Sequence, residues 1–260
     1  MIERLSAHLG YMFADEPLSM RFESAARCGF TAVEHPGPYD MPAGELRRIL
    51  ADNGLAFVQM ALPSGDAARG EKGLACLSDR QADFDAALER GLDYAAAIGC
   101  TMVHMMSGVV PRGTERADLW PLYTERLAQA AHAAAARGIV LLVEPIGRAT
   151  IADYFIDDPY LGLRALDAVD ADNVRLLFDA FHATNAGIDA VRFFTCHAHR
   201  IAHLHIADHP GRHEPGTGCF AFGRLFAALD ACGYSGRIGL EYVPADDTRA
   251  GLFWIGNYLS

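Results

Sequence analysis

Short apolar, β-branched or aromatic runs alternate with alanine-rich amphipathic stretches along the chain. The runs predict strands near Leu5–Met12, Ala32–His35, Ala56–Ala61, Met102–Met106, Ile139–Glu144, Val174–Asp179, Ile201–Ile206 and Ile238–Tyr242. The stretches between them carry apolar positions at helical spacing. They predict helices near Leu18–Cys28, Ala43–Asp52, Gln81–Ile98, Thr114–Ala136, Pro159–Asp167, Ala190–His197 and Phe222–Cys232, with a short one from Thr248. Glycine marks the helix-to-strand joints at Gly29, Gly54, Gly99, Gly138 and Gly233, where a left-handed residue ends a helix at no steric cost.

Strict alternation with strands buried on both faces means parallel βαβ units. Eight such units in 260 residues predict one closed (β/α)8 barrel, of the TIM type, over residues 1–260. A doubly wound open sheet is the alternative. It would show a glycine-rich phosphate turn after its first strand, and Gly10-Tyr11-Met12 offers none. One segment breaks the rhythm. Pro63–Arg80 is a long connection leaving the C-terminal end of a strand, the face on which barrel enzymes keep their chemistry.

The predicted strand ends share a habit of polar or ionisable residues: Glu34 and His35, Gln59, His104, Glu144, Asp179, His205 and Glu241. A barrel brings these ends to one mouth. Buried carboxylates without partners cost several kcal/mol, so Glu144, Asp179, His205 and Glu241 together call for a cation. Three carboxylates and one imidazole suit Mn²⁺, Mg²⁺ or Co²⁺ better than a structural zinc. The plainer alternative is that these carboxylates cap the following helix or pair with an arginine. Pro145 forces extended geometry on Glu144. His182, three residues after Asp179, is a candidate for the same site or a solvent-facing helix residue. His203 and His205 share one strand face; His205 lies nearer the mouth, and His203 reads as a hydrogen-bonded core residue. The turn-rich loop Asp208–Gly218 carries Arg212, whose planar fork can hold a carboxylate or enediolate oxygen. An ordinary charged surface loop is the competing reading.

Composition narrows the classes. The chain has 22 Lys+Arg against 33 Asp+Glu, a net charge of −11, which disfavours nucleic acid as a partner. The six cysteines form no CxxC pair and read as reduced thiols. The start MIERLSAHLG lacks the apolar run of a signal peptide, and no stretch is long and apolar enough for a membrane span. These features predict a cytoplasmic protein acting on a small molecule, and leave a homo-oligomer open. GxSxG, Walker and strand-following GxGxxG motifs are absent from the sequence.

The order Glu144-Pro145-Ile146, Phe178-Asp179-x-Phe181-His182, His203-x-His205-Ile206-Ala207-Asp208-x-Pro210 through Gly218, and Gly239-x-Glu241-Tyr242 resembles the hydroxypyruvate isomerase family, within the xylose-isomerase-like barrels. Arg21-Phe22, Val33-Glu34, Pro38-Tyr39, Ser64-Gly65-Asp66 and Gly70-Glu71-Lys72-Gly73-Leu74 extend the resemblance over nearly the whole chain. The family usually has Gln at the position of His205, Asn at Gly147 and Arg at Lys72. The resemblance implies interconversion of hydroxypyruvate and tartronate semialdehyde, or of related 2-oxo or 3-oxo sugar acids. It places paired acid/base glutamates at Glu144 and Glu241, metal positions at Glu144, Asp179, His205 and Glu241, and the substrate at Arg212, Lys72 and His182. Ketose 3-epimerisation is the nearest rival. An abasic-site endonuclease on the same barrel would need a basic mouth and several zinc ions, and a sugar-acid sensor would not need two bases.

Overall fold

A computed structural model describes residues 2–258. The strands are β1 Leu5–His8, β2 Ala32–Glu34, β3 Ala56–Phe57, β4 Met60–Ala61, β5 Met102–His104, β6 Val140–Val143, β7 Val174–Asp179, β8 Ile201–His205 and β9 Ile238–Leu240. All pair in parallel, in the order β3-β2-β1-β9-β8-β7-β6-β5-β4. The two ends of that order, β3 and β4, are halves of the single stretch Ala56–Ala61. Val58 N–H bonds the Val33 carbonyl (2.9 Å) on one side, and Leu62 N–H bonds the His104 carbonyl (2.9 Å) on the other. The stretch therefore passes from β2 to β5, and the sheet closes as the eight-strand barrel the alternation predicts.

Among the described residues ten α-helices surround it: α1 Leu18–Arg27, α2 Ala43–Asn53, α3 Gln81–Ile98, α4 Arg116–Ala135, α5 Pro159–Val169, α6 Ala180–Asn185, α7 Ala190–His197, α8 Phe222–Ala231, α9 Thr248–Gly251 and α10 Trp254–Tyr258. Gly54 and Gly99 close α2 and α3 in the left-handed region, with φ of 64° and 77°. Side chains such as Leu5, Ala7, Val33, Val103, Leu141 and Leu240 are fully buried, as parallel strands under a helical coat require. All six cysteines are unpaired.

Two elements differ from the sequence expectation. The first strand stops at His8 rather than running to Met12. Tyr11 and Met12 N–H both return to the His8 carbonyl (3.1 and 2.9 Å), so the chain turns there. The helix α6 is additional. It is too short to show an amphipathic period, and it starts because the Asp179 carboxylate accepts the N–H of Phe181 (2.6 Å) and His182 (3.2 Å).

The long connection Pro63–Arg80 is built rather than loose. Arg126 of α4 is 1% exposed and donates to the carbonyls of Leu74 (2.7 Å) and Leu77 (2.8 Å) and to Gln81 Oε1 (3.1 Å). Glu71 pairs with Arg80 and accepts the Asp66 N–H at 2.7 Å. Arg126→Met keeps the stem but strips donors from buried carbonyls. We expect a loss of about 1–3 kcal/mol in denaturant unfolding. An unchanged unfolding midpoint would show that the connection holds itself.

Candidate active site

The strand order sets which side chains meet. His8 ends β1, His104 ends β5, Asp179 ends β7 and His205 ends β8; Glu144 and Glu241 directly follow β6 and β9 at the same end of the barrel. All of these but Asp179 line a cavity of about 300 Å³, together with Tyr11, Gln59, Lys72, Thr150, His182 and Arg212. A larger hollow of about 450 Å³ lies outside the barrel, by Tyr160, Asp189, Arg192 and Phe193, away from the strand ends. The inner cavity is the better site because ionisable groups converge on it.

Glu144, Asp179, His205 and Glu241 each offer one ligand atom, all within 4.8 Å of one another. Each also has a partner of its own. His104 Nδ1 lies 3.2 Å from Glu144 Oε2, His182 Nε2 lies 3.4 Å from Asp179 Oδ2, and His8 Nε2 lies 3.5 Å from Glu241 Oε1. His205 reaches Glu34 Oε1 through Nε2 (2.9 Å), while its Nδ1 lies 3.3 Å from Glu241 Oε2. Asp179 Oδ2 and His205 Nδ1 are buried without a hydrogen-bond partner. The capping and pairing alternatives hold alongside the clustering: Asp179 caps α6 with Oδ1 and turns Oδ2 to the cluster, and Glu241 is paired with Arg212.

Arg212 comes from the loop after β8, as the sequence places it. That loop folds around the buried Asp208, whose carboxylate accepts the N–H of His209 (2.8 Å), Gly216 (2.8 Å), Gly218 (2.9 Å) and Phe220 (3.0 Å). Arg212 sits in the left-handed region (φ 56°). Its guanidinium lies over Tyr11 and Phe181, 2.5 Å from Glu241 Oε2 and 3.6 Å from Asp179 Oδ2. The residue is therefore a cavity group rather than a loop-surface charge, and much of its charge is already committed. Lys72 reaches the rim from the long connection and is exposed. His182 is buried in α6, with Nδ1 3.2 Å from Thr150 Oγ1. His203 is fully buried against Glu34, at 2.7 Å.

Charge is distributed unevenly between the two glutamates. Burial, reinforced by the charge of Glu241, pushes Glu144 well above the usual carboxylate range. Burial works the same way on Glu241, but His205 and Arg212 outweigh it and hold that carboxyl well below the range. His205 is held well above the imidazole range; burial opposes its charge, and Glu241 and Glu34 override burial. Burial lowers His104 to about 3, helped by the charge of His205, and also lowers His8 and His182. Burial thus disfavours charge on His8, His104 and His182 beside the carboxylates, and the two glutamates are pushed in opposite directions.

Three of the polar lining residues, His8, Tyr11 and Thr150, have no role in the expectations from sequence. His8 was hidden by the over-long first strand; Gly10 was the signal that the strand ends before it. Tyr11 follows in the same turn, stacked on His8 at 5.0 Å. Thr150 lies in an irregular segment with no sequence signature.

The pattern described as Xylose isomerase-like TIM barrel matches residues 22–258. The chain is 40% identical over 256 residues to the 2-oxo-tetronate isomerase of Cupriavidus necator, covering 98% of each. It is 35% identical over 255 residues to the hydroxypyruvate isomerase of Escherichia coli, covering 98% of this chain and 99% of that one. A crystal structure titled AP endonuclease, family 2, from Brucella melitensis superposes with a TM-score of 0.95 at 35% identity, over 98% of this chain and 99% of the other. A barrel closed through Ala56–Ala61, a cluster at its C-terminal mouth and full-length likeness at this level agree, and the chain belongs to the xylose isomerase-like TIM barrel family.

Proposed function

We propose that the cavity isomerises a small hydroxy-keto acid, of the hydroxypyruvate or 2-oxo-tetronate kind, by moving a proton between neighbouring carbons through an enediolate. The observation that carries this reading is the meeting of Glu144 and Glu241 with the Arg212 cation inside one cavity of about 300 Å³. A C–H beside a carbonyl is weakly acidic. A positioned carboxylate must take its proton while charge on the oxygen is stabilised. One glutamate takes the proton and the other returns a proton to the adjacent carbon. Arg212 and Lys72 face the substrate carboxylate, and His182, fixed by Asp179 and Thr150, faces a neighbouring oxygen.

The donor set fits a divalent ion. Three carboxylates and an imidazole lie within 4.8 Å of one another, and two of the donor atoms are buried without partners. Glu144, Asp179, His205 and Glu241 would hold Mg²⁺ or Mn²⁺. A bound ion would polarise the substrate's carbonyl and hydroxyl oxygens and stabilise enediolate charge. No helix among the described residues is long and apolar enough to cross a membrane. The net charge of −11 speaks against nucleic acid as substrate.

The test is solvent proton exchange in heavy water across hydroxypyruvate, 2-oxo-tetronate, D-fructose and D-tagatose. Exchange and product from an acid alone support the proposal; turnover of the ketoses alone replaces it with epimerisation. Arg212→Lys separates the carboxylate contact further. It keeps the charge and loses the fork, so KM for the acid should rise by the equivalent of about 1–3 kcal/mol. Because Arg212 also touches Glu241, kcat should fall as well. Equal changes for acid and neutral substrates would remove Arg212 from the carboxylate site.

A further inference from the structure

Glu34 is an ionisable residue for which the reaction above has no use. It ends β2, its side chain is fully buried, and its two carboxylate oxygens are divided between two histidines of β8. Oε2 lies 2.7 Å from His203 Nε2. Oε1 lies 2.9 Å from His205 Nε2, within ion-pair distance, although the two atoms are not aligned as a hydrogen bond. The spacing of two along β8 puts both imidazoles on one face, so one carboxylate can serve both.

In the strand order, β1 and β9 stand between β2 and β8, so the carboxylate must reach His205 past β9. The residue of β9 beside His205 in the register is Gly239. A Cβ at Gly239 would lie 2.2 Å from Glu34 Oε1 and 2.6 Å from His205 Cδ2. Any other residue would occupy the space through which Glu34 and His205 meet. The glycine therefore serves this contact.

We propose that Glu34, through the gap at Gly239, is a positioning residue that holds His205 by Nε2 and so presents Nδ1 to the cluster of Glu144, Asp179 and Glu241. The two imidazole nitrogens are distinct, and the contact made by one sets what the other can do. With Nε2 turned to Glu34, Nδ1 lies 3.3 Å from Glu241 Oε2 and 3.9 Å from Glu144 Oε1, where a ligand atom is needed. His203 anchors the other oxygen and stops the carboxylate from rotating. The proposal deepens the ion-binding reading of the site and rests on it for its consequence, though not for the contact itself.

The experiment compares native protein, E34Q and G239A, each ¹⁵N-labelled at histidine. The His205 ring signals are identified by their loss in H205N. NMR of the Mg²⁺-containing samples reads the Nε2–H proton of His205, and titration with Mn²⁺ followed by electron paramagnetic resonance reads ion affinity. In native protein the Nε2–H signal should be downfield and slow to exchange. In E34Q and in G239A it should move or vanish, and Mn²⁺ affinity should fall about 10–100-fold. An unchanged His205 signal in either folded variant overturns the proposal. So does Mn²⁺ affinity within about twofold of native in both, below the usual effect of losing such a partner. If native protein binds no Mn²⁺, the ion-site reading fails, and the His205 signal alone decides the role of Glu34. G239A leaves every polar group in place and keeps the test open if E34Q does not fold.

Discussion

Glu144→Gln and Glu241→Gln should each lower kcat by about 10²–10⁴-fold, the span for loss of one general acid–base group. The substitution keeps side-chain shape and removes proton-transfer power. The double variant should lose far less than the product of the singles, because the two groups act as a unit. Their effects on stability should differ. Glu144 is a buried carboxyl that burial and the Glu241 charge already hold toward its neutral form, so an amide there should leave Tm unchanged or slightly raised. Glu241 is the partner of Arg212 at 2.5 Å and of His205 at 3.3 Å, and removing its charge takes the nearest counterion from Arg212, leaving it only Asp179 Oδ2 at 3.6 Å. Glu241→Gln should therefore lower Tm in addition to kcat. The heavy-water assay distinguishes the roles. The variant lacking the abstracting base stops washing substrate protons into solvent, while the variant lacking only the returning acid keeps washing them and forms little product. Normal turnover by either variant, with unaltered Mn²⁺ binding, would reduce that glutamate to a strand-end residue and remove the mechanism.

Stripping divalent ions should cost about 10²–10³-fold in rate. Polarising the reacting oxygens is a contribution of several kcal/mol, and each 1.4 kcal/mol is tenfold. Mn²⁺ or Mg²⁺ should restore activity. Asp179→Asn isolates ligation from folding. The amide oxygen can still cap α6 as Oδ1 does now, at 2.6 Å from Phe181 N–H, while the amide nitrogen takes the place of Oδ2 and cannot ligate. The ion-free variant should keep native Tm and lose Mn²⁺ affinity. Full turnover by protein shown to be free of metal would end the ion-assisted reading.

Substrate identity is the finer question within the family. The cavity of about 300 Å³ admits a small hydroxy-keto acid, and volume alone does not choose among chain lengths. The cationic groups facing it have unequal freedom. Arg212 is engaged by Glu241 and Asp179, whereas Lys72 is exposed at the rim on a connection pinned by Arg126. A substrate carboxylate can compete for Arg212 only as it relieves or replaces those contacts. The Arg212→Lys experiment reports on this directly.

The sequence by itself determined the alternation of strands and helices, the barrel, and the four strand-end groups Glu144, Asp179, His205 and Glu241 as one cluster. These follow from local rules: burial on both strand faces, glycine at helix ends, and the convergence of parallel strand ends in a closed sheet. It also separated His203 from His205, because strand geometry fixes both their shared face and their depth. What only the tertiary structure decided is how those groups are partnered. Glu34 and Gly239 are far from His205 in sequence, and β1 and β9 separate β2 from β8, so no local pattern could reveal that a missing Cβ on β9 admits a carboxylate from β2. His8 escaped for a different reason: the apolar run continues past it to Met12, and the strand ends because the His8 carbonyl collects two returning N–H groups. Arg212 was legible as a site residue, but its engagement by Glu241 was not. The opposite directions in which the two glutamates are pushed come from burial, from their mutual repulsion and from His205, with Arg212 adding to these, because a pKa inside a cavity is set by distances to charges contributed by several separate strands.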